Sequence, residues 1–211
     1  MGILNNGIFG GFSNKTGPLV GRKVKGRNVI TGLHHYPKGP VDKKVRLSQQ
    51  KLVLLNGFLG QISPVIANGF KDYAQKSTTI NAAYKYNYPN AFVQAPEGFV
   101  LNYSKLVYSR GKVSTPCAPK VTSVAAGLQF TWQNAVQNEF NLYTDKATFV
   151  VYNAEKHIAV IKENIALRKD MGYVFELPED FAGDELHCYM SFNSANGKVV
   201  GDSVWCGEIV V

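Results

Sequence analysis

Asp184-Glu-Leu-His-Cys-Tyr-Met-Ser-Phe-Asn193 sets Leu186, Cys188, Met190 and Phe192 in alternation with His187, Tyr189 and Ser191. A period of two puts each set on its own face of a β-strand, and the first set reads as the buried face. Leu128, Phe130 and Trp132 repeat the pattern. Outward from these two stretches, strand-like runs recur at 120–125, 127–133, 146–153, 156–161, 171–177, 184–193 and 203–210. Turn signals stand between them at Ala126-Gly127, Asn153-Ala-Glu155, Glu179-Asp180 and Ala195-Asn-Gly197. Asn-Gly is a strong hairpin signal. Seven short strands in about 90 residues predict an antiparallel β-sandwich of immunoglobulin or fibronectin type, its core built largely from these two alternating sets.

Before this region the text changes. Ser114-Thr-Pro-Cys-Ala-Pro119 reads as a linker, and the charge changes sign there. Residues 1–115 hold 16 Lys and Arg against three acids, a balance of +13, whereas residues 116–211 balance at −5. The expected layout is therefore α+β. A basic mixed helix/strand region spans 1–115, with a short β-hairpin, two to three helices and a glycine-rich N-terminal arm. The sandwich spans 116–211. At 45% hydrophobic and 18% charged residues, the chain has the balance of a folded protein rather than a disordered one.

Within the basic region, glycines at 2, 7, 10, 11, 17 and 21 are interleaved with apolar residues, among them Ile8, Phe9, Phe12 and Leu19. A solvated tail has no need of those side chains, so this arm is expected to dock on another surface. Residues 18–31 read as two strands joined at Lys25-Gly26. Arg22, Lys23, Lys25 and Arg27 make that hairpin basic, and Lys43, Lys44 and Arg46 extend the positive charge through a connector at 34–46. Leu52, Leu55, Phe58, Leu59 and Ile62 follow helical spacing. Ser63-Pro64 reads as the N-cap and first residue of a second helix, and Thr78 or Thr79 starts a third that ends before Pro89. Residues 90–116 read as extended.

Little points to catalysis. No GxSxG, HExxH, Walker loop or paired-cysteine zinc pattern occurs, and Gly7-Ile-Phe-Gly-Gly-Phe-Ser13 lacks GxGxxG spacing. With three cysteines at least one thiol stays unpaired; Cys188 and Cys206 could meet across neighbouring strands, but buried free thiols are the expectation for Cys117, Cys188 and Cys206. His187 points to the opposite strand face from Cys188, which makes the two poor co-ligands. The acids Glu179, Asp180, Asp184 and Glu185 lack calcium-loop spacing. No enzyme activity, cofactor or metal is expected. No secretory signal or membrane-spanning run is expected either, which leaves a cytoplasmic protein or part of an assembled particle as the default location.

Three functions fit these features. The first is a structural or assembly protein that forms homo-oligomers or joins other subunits, its arm docking on a neighbour and its basic half meeting the acidic half of another copy. The alternative is a nucleic-acid-binding protein, with the seven cations on phosphates and Tyr36, Tyr84, Tyr86 and Tyr88 as stacking faces. A recognition module acting through the sandwich loops has no residue-level support. The first is the expectation.

Several phrases carry a resemblance: Gly7-Ile-Phe-Gly-Gly-Phe-Ser13 with Gly17-Pro-Leu-Val-Gly21, Asn102-Tyr-Ser-Lys-Leu-Val-Tyr-Ser-Arg-Gly111, Thr144-Asp-Lys-Ala147 with Val151-Tyr-Asn153, and Ala182-Gly-Asp184 before Tyr189-Met-Ser-Phe192. Over almost its whole length the chain resembles a family of Bacteroidota proteins grouped only as a domain of unknown function. Asn14 stands where that family's phrase would carry a small residue. The resemblance implies a shared two-part layout and a lineage; it brings no activity, ligand or site residue.

Overall fold

The computed structural model describes residues 3–4, 10–24, 26–34, 39–75, 77–125 and 127–211. They form two compact units, Met1–Lys43 and Lys44–Val211.

The first unit is an antiparallel sheet in the order β1 (Ile3–Leu4), β2 (Phe12–Thr16), β3 (Leu19–Val24) and β4 (Arg27–Gly32). The basic hairpin expected over 18–31 is β3–β4, with Val24 opposite Arg27 and Gly26 at φ 79°. Lys25 lies outside the described residues. The β2–β3 turn uses Gly17 at φ 54°, a left-handed conformation that costs glycine little.

In the second unit, α1 (Lys43–Gln61) begins four residues before the expected Leu47, so Lys43, Lys44 and Arg46 belong to its first turns and not to a connector. Leu55, Phe58 and Leu59 are its buried residues, and Ile62 follows at the break before α2 (Ser63–Gly69). Ser63 is the first helical residue rather than the cap; Ile62 holds the cap position with no side-chain bond. Thr78 caps α3 (Thr79–Asn87) by accepting a hydrogen bond from the Asn81 amide. Of the extended stretch 90–116, only the hairpin β5 (Phe92–Ala95) and β6 (Gly98–Leu101) forms paired strands. Among the described residues no single helix is long and apolar enough to cross a membrane.

All seven strands expected after residue 115 are present. They are β7 (Cys117–Val124), β8 (Gly127–Gln133), β9 (Lys146–Asn153), β10 (Ile158–Leu167), β11 (Gly172–Phe175), β12 (Glu185–Asn193) and β13 (Val204–Val210). They make two antiparallel sheets, β11-β8-β7 and β10-β9-β12-β13. Pro119 does not keep β7 from starting at Cys117, because the register shifts between Cys117 and Lys120 and Ala118 sits at φ 45°. A bulge is where a strand tolerates a proline. The residues read as a linker thus lie within the second unit. There the Ser114 amide donates to Phe140 O, and Ser114 O accepts from Arg168.

Two hydrophobic cores flank the four-stranded sheet. One lies between the sheets and holds both predicted sets: Leu128, Phe130 and Trp132 with Leu186, Cys188, Met190 and Phe192. The other joins Val150, Tyr152 and Tyr189 to Leu55, Phe58, Ile66 and Phe70 of the helices and to Leu106 and Tyr108. The helices therefore cover the outer face of this sheet, so the second unit has three layers of mostly β structure. Phe58 meets Tyr152 edge-on at 4.9 Å. Between Asp145 and Arg168 runs a buried ion pair of 3.1 Å. The guanidinium also lies 3.8 Å from the Phe192 ring centroid, while the Arg168 carbonyl accepts from Trp132 Nε1.

Two predictions follow from this layering. In a Trp205→Phe background, Trp132 is the only tryptophan left to report on the inter-sheet core. Phe58→Ala in that background should cost about 3–5 kcal/mol in urea unfolding followed by Trp132 fluorescence. An unmoved midpoint would mean that helices and strands fold separately. Asp145→Ala strands a buried guanidinium and should cost about 3–5 kcal/mol in the same assay.

Candidate functional site

Strand register sorts the side chains of the first unit onto two faces. Gly21 pairs with Asn14 and Ile30, and Arg22 pairs with Val29. Directly opposed residues share a face, so one face carries Phe12, Leu19, Lys23 and Ile30, and the other Lys15, Val20, Arg22, Val24, Arg27 and Val29. Of the expected arm residues, Phe12 and Leu19 share the first face, though at different ends of the β2–β3 pair; Ile8 and Phe9 lie outside the described residues. Of the expected cations, Arg22 and Arg27 share the second face, Lys23 lies on the first, and Lys25 is not described. Lys15 joins Arg22 and Arg27, a partnership set by register alone. Leu19 is 44% exposed and Ile30 58%. Gly21 is the single buried residue among those described in this unit. A Cβ there would collide with the Phe12 carbonyl and come within 2.7 Å of its ring.

Lys43, Lys44 and Arg46 open α1 with no acid in the first turn. Cations near a helix N-terminus oppose its dipole at a cost of about 0.3–1 kcal/mol each, and Asp42 immediately precedes them.

Tyr84, Tyr86 and Tyr88 would share a face only on a strand; the helix expected over this stretch forms as α3, so they make no stacking ladder. Tyr84 and Tyr88, one turn apart, lie 5.5 Å from each other and line an apolar groove of about 640 Å³ with Val45 and Leu52 of α1. Tyr86 faces a separate cleft of about 1060 Å³ lined by Phe70, Asp72, Tyr73, Asn81 and Arg110. There the Arg110 guanidinium lies 4.5 Å from the Tyr73 centroid and 4.0 Å from that of Tyr86, two cation–π contacts that help to position it.

The acidic loop disperses. Asp184 accepts from Asn153 at 2.7 Å and pairs with Lys156 at 2.6 Å, and these bonds hold its carboxyl below the usual range. Glu185 instead stands beside His187, with Glu208 on the next strand. His187 is 2% exposed and its ring nitrogens make no hydrogen bond. Leaving a buried polar atom unsatisfied costs about 1–3 kcal/mol. Burial lowers its pKa to about 4, which leaves the imidazole neutral at pH 7. Cys188 points the other way into the inter-sheet core, as strand alternation requires, and burial pushes its thiol up to about 12. The three cysteines are free. Glu208 and Tyr103, which also stand beside His187, carry no local sequence signal; pairing register and tertiary packing bring them there.

Gly21→Ala places a methyl against Phe12. It should weaken the β2–β3 pairing by about 1–3 kcal/mol, a roughly tenfold to hundredfold loss of amide-exchange protection over residues 12–32. Exchange of β9 and β12 should stay unchanged, which hydrogen-exchange mass spectrometry would read directly.

No curated protein and no solved structure matches the chain. A family model does, over residues 11–207, which takes in most of the first unit and nearly all of the second. The chain belongs to DUF6266, a family of unknown function.

Proposed function

We propose that this chain is a non-enzymatic assembly protein whose N-terminal sheet docks onto other copies or onto the subunits of a larger particle. The observation that carries the reading is a sheet with no buried apolar side chain among the described residues. Every apolar side chain described in the first unit is at least partly exposed. Units of this size bury too little to stand alone, and a thin sheet needs a packed face. Phe12, Leu19 and Ile30 offer that face to a partner. The second unit is the anchor. Its strand order, β11-β8-β7 against β10-β9-β12-β13, agrees with a sandwich of immunoglobulin or fibronectin type, the finer fold assignment we attach to this proposal. The excess of acids after residue 115 gives the basic sheet a complementary surface on another copy, and a head-to-tail contact of that kind builds rings or filaments.

A nucleic-acid partner is the second reading, favoured by Lys15, Arg22 and Arg27 on one sheet face. Light scattering separates the two. The full chain should gain mass with concentration, and Phe12→Ser/Leu19→Ser/Ile30→Ser should stay monomeric while keeping its Trp132 unfolding midpoint. If the full chain stays monomeric and only added nucleic acid raises its mass, with the gain lost as salt rises, the second reading replaces the first. A triple variant that assembles like the parent rules out this face as the docking element.

A further inference from the structure

We propose that Glu185, His187 and Glu208 form a binding site for a divalent first-row transition cation, Zn²⁺ being the best match. The site is built by strand geometry. Glu185 and His187 are two residues apart on β12 and share its outer face, and β13 sets Glu208 directly opposite His187. Each residue offers one ligand atom, and the three atoms lie within 4.8 Å of one another. His187 Nε2 is 3.2 Å from Glu185 Oε1, and Nδ1 is 3.9 Å from Glu208 Oε2. One ion takes only one of the two ring nitrogens, and a tetrahedral ion spaces its ligand atoms by roughly 3.3–3.6 Å, so the set closes when the exposed carboxylates rotate toward that nitrogen.

A second observation points to a ligand. The imidazole is almost fully buried, yet neither ring nitrogen has a hydrogen-bond partner. Buried polar atoms are nearly always satisfied, and these two face the carboxylates. The ring cannot swing away to find other partners. Tyr103 stacks on it at 3.8 Å and 19°, and the Tyr103 carbonyl is itself held by the Tyr189 hydroxyl at 2.8 Å. Among the described residues, neither carboxylate is paired with a lysine or arginine. Glu185 and Glu208 are 44% and 53% exposed, which gives an ion a path in and lets water complete its coordination. The donor set chooses the ion. Imidazole suits Zn²⁺ and its neighbours, whereas Ca²⁺ and Mg²⁺ take oxygen ligands throughout.

The test uses untagged full chain stripped of metal by chelator dialysis, titrated with Zn²⁺ by calorimetry and with Co²⁺ by visible absorption. One Zn²⁺ per chain should bind and raise the Tm, and Ca²⁺ and Mg²⁺ should not. His187→Gln should abolish binding. Because burial makes that variant vulnerable in folding, Glu208→Gln at the exposed position is the second arm. It should keep the parent's metal-free Tm and weaken Zn²⁺ by at least about tenfold. The distant Glu176→Gln should bind as the parent does. No Zn²⁺ uptake up to about 1 mM would overturn the site and leave His187 simply wedged between two carboxylates. Uptake unchanged in Glu208→Gln would place the ion elsewhere and overturn it equally.

Discussion

Strands β9 and β12 must serve two cores at once. Successive residues of β9 divide between them: Phe149 and Val151 enter the inter-sheet core, and Val150 and Tyr152 enter the helical one. On β12, Met190 and Phe192 face one way and Tyr189 the other. Such strands have no solvent face, so each polar side chain they carry needs an internal partner or leaves an unmet bond. Most find one. Ser191 accepts from the Tyr108 hydroxyl at 2.9 Å, and Asn193 Nδ2 donates to Asn164 and to Thr148. Asn153 donates to Asp184 while its Oδ1 accepts from the amides of Glu155 and Lys156. His187 is the exception on β12, and that is why it stands out chemically.

The same constraint explains what could be read from the sequence. Leu186, Cys188, Met190 and Phe192 announce their face by type, and all seven strands of this region follow from such runs and their turns. The intervening His187, Tyr189 and Ser191 look like an ordinary solvent-facing set. Tyr189 is in fact buried to 1%, its body in the helical core and its hydroxyl on the Tyr103 carbonyl. Tyrosine is amphipathic, so period-two reading assigns it poorly, and the burial of the second face by α1 and α2 went unread with it. Strand ends failed where backbone irregularity took over. β7 passes Pro119 by a bulge, and β10 runs on to Leu167 through a register shift that includes Asn164 at φ 57°. Asp145 and Arg168 form their buried pair across 23 residues, with no mark in either local stretch.

Site residues divide in the same way. The hairpin of the first unit was legible from Lys25-Gly26 and its flanking β-formers, and so was the positive charge. Which cations share a face was not, because register decides it and a one-residue slip exchanges the faces. For His187, alternation correctly separated it from Cys188. Its pairing with Glu208 depends on how β12 and β13 align, across a register shift between Cys188 and Tyr189 that sequence alone does not announce. The acidic loop, read as one cluster, splits because Asp184 turns to Asn153 and Lys156 while Glu185 has already entered β12.

The two units obey different economies of burial. The second is overdetermined, with two cores, a buried ion pair and strands covered on both faces. The first has a defined register, and among its described residues only Gly21 is buried. Such a sheet, with open edges and apolar side chains in water, is prone to indiscriminate pairing, and charge is the usual means of restraining it. Here charge and apolar surface are partly segregated. Lys15, Arg22 and Arg27 occupy one face with Val20, Val24 and Val29, while Phe12, Leu19 and Ile30 occupy the other with Lys23. The cations of the first face discourage pairing between like-charged copies there, and Lys23 is the cation that a partner on the second face would meet. On the assembly reading proposed above, a partner for that second face would combine an apolar patch with an acid to meet Lys23.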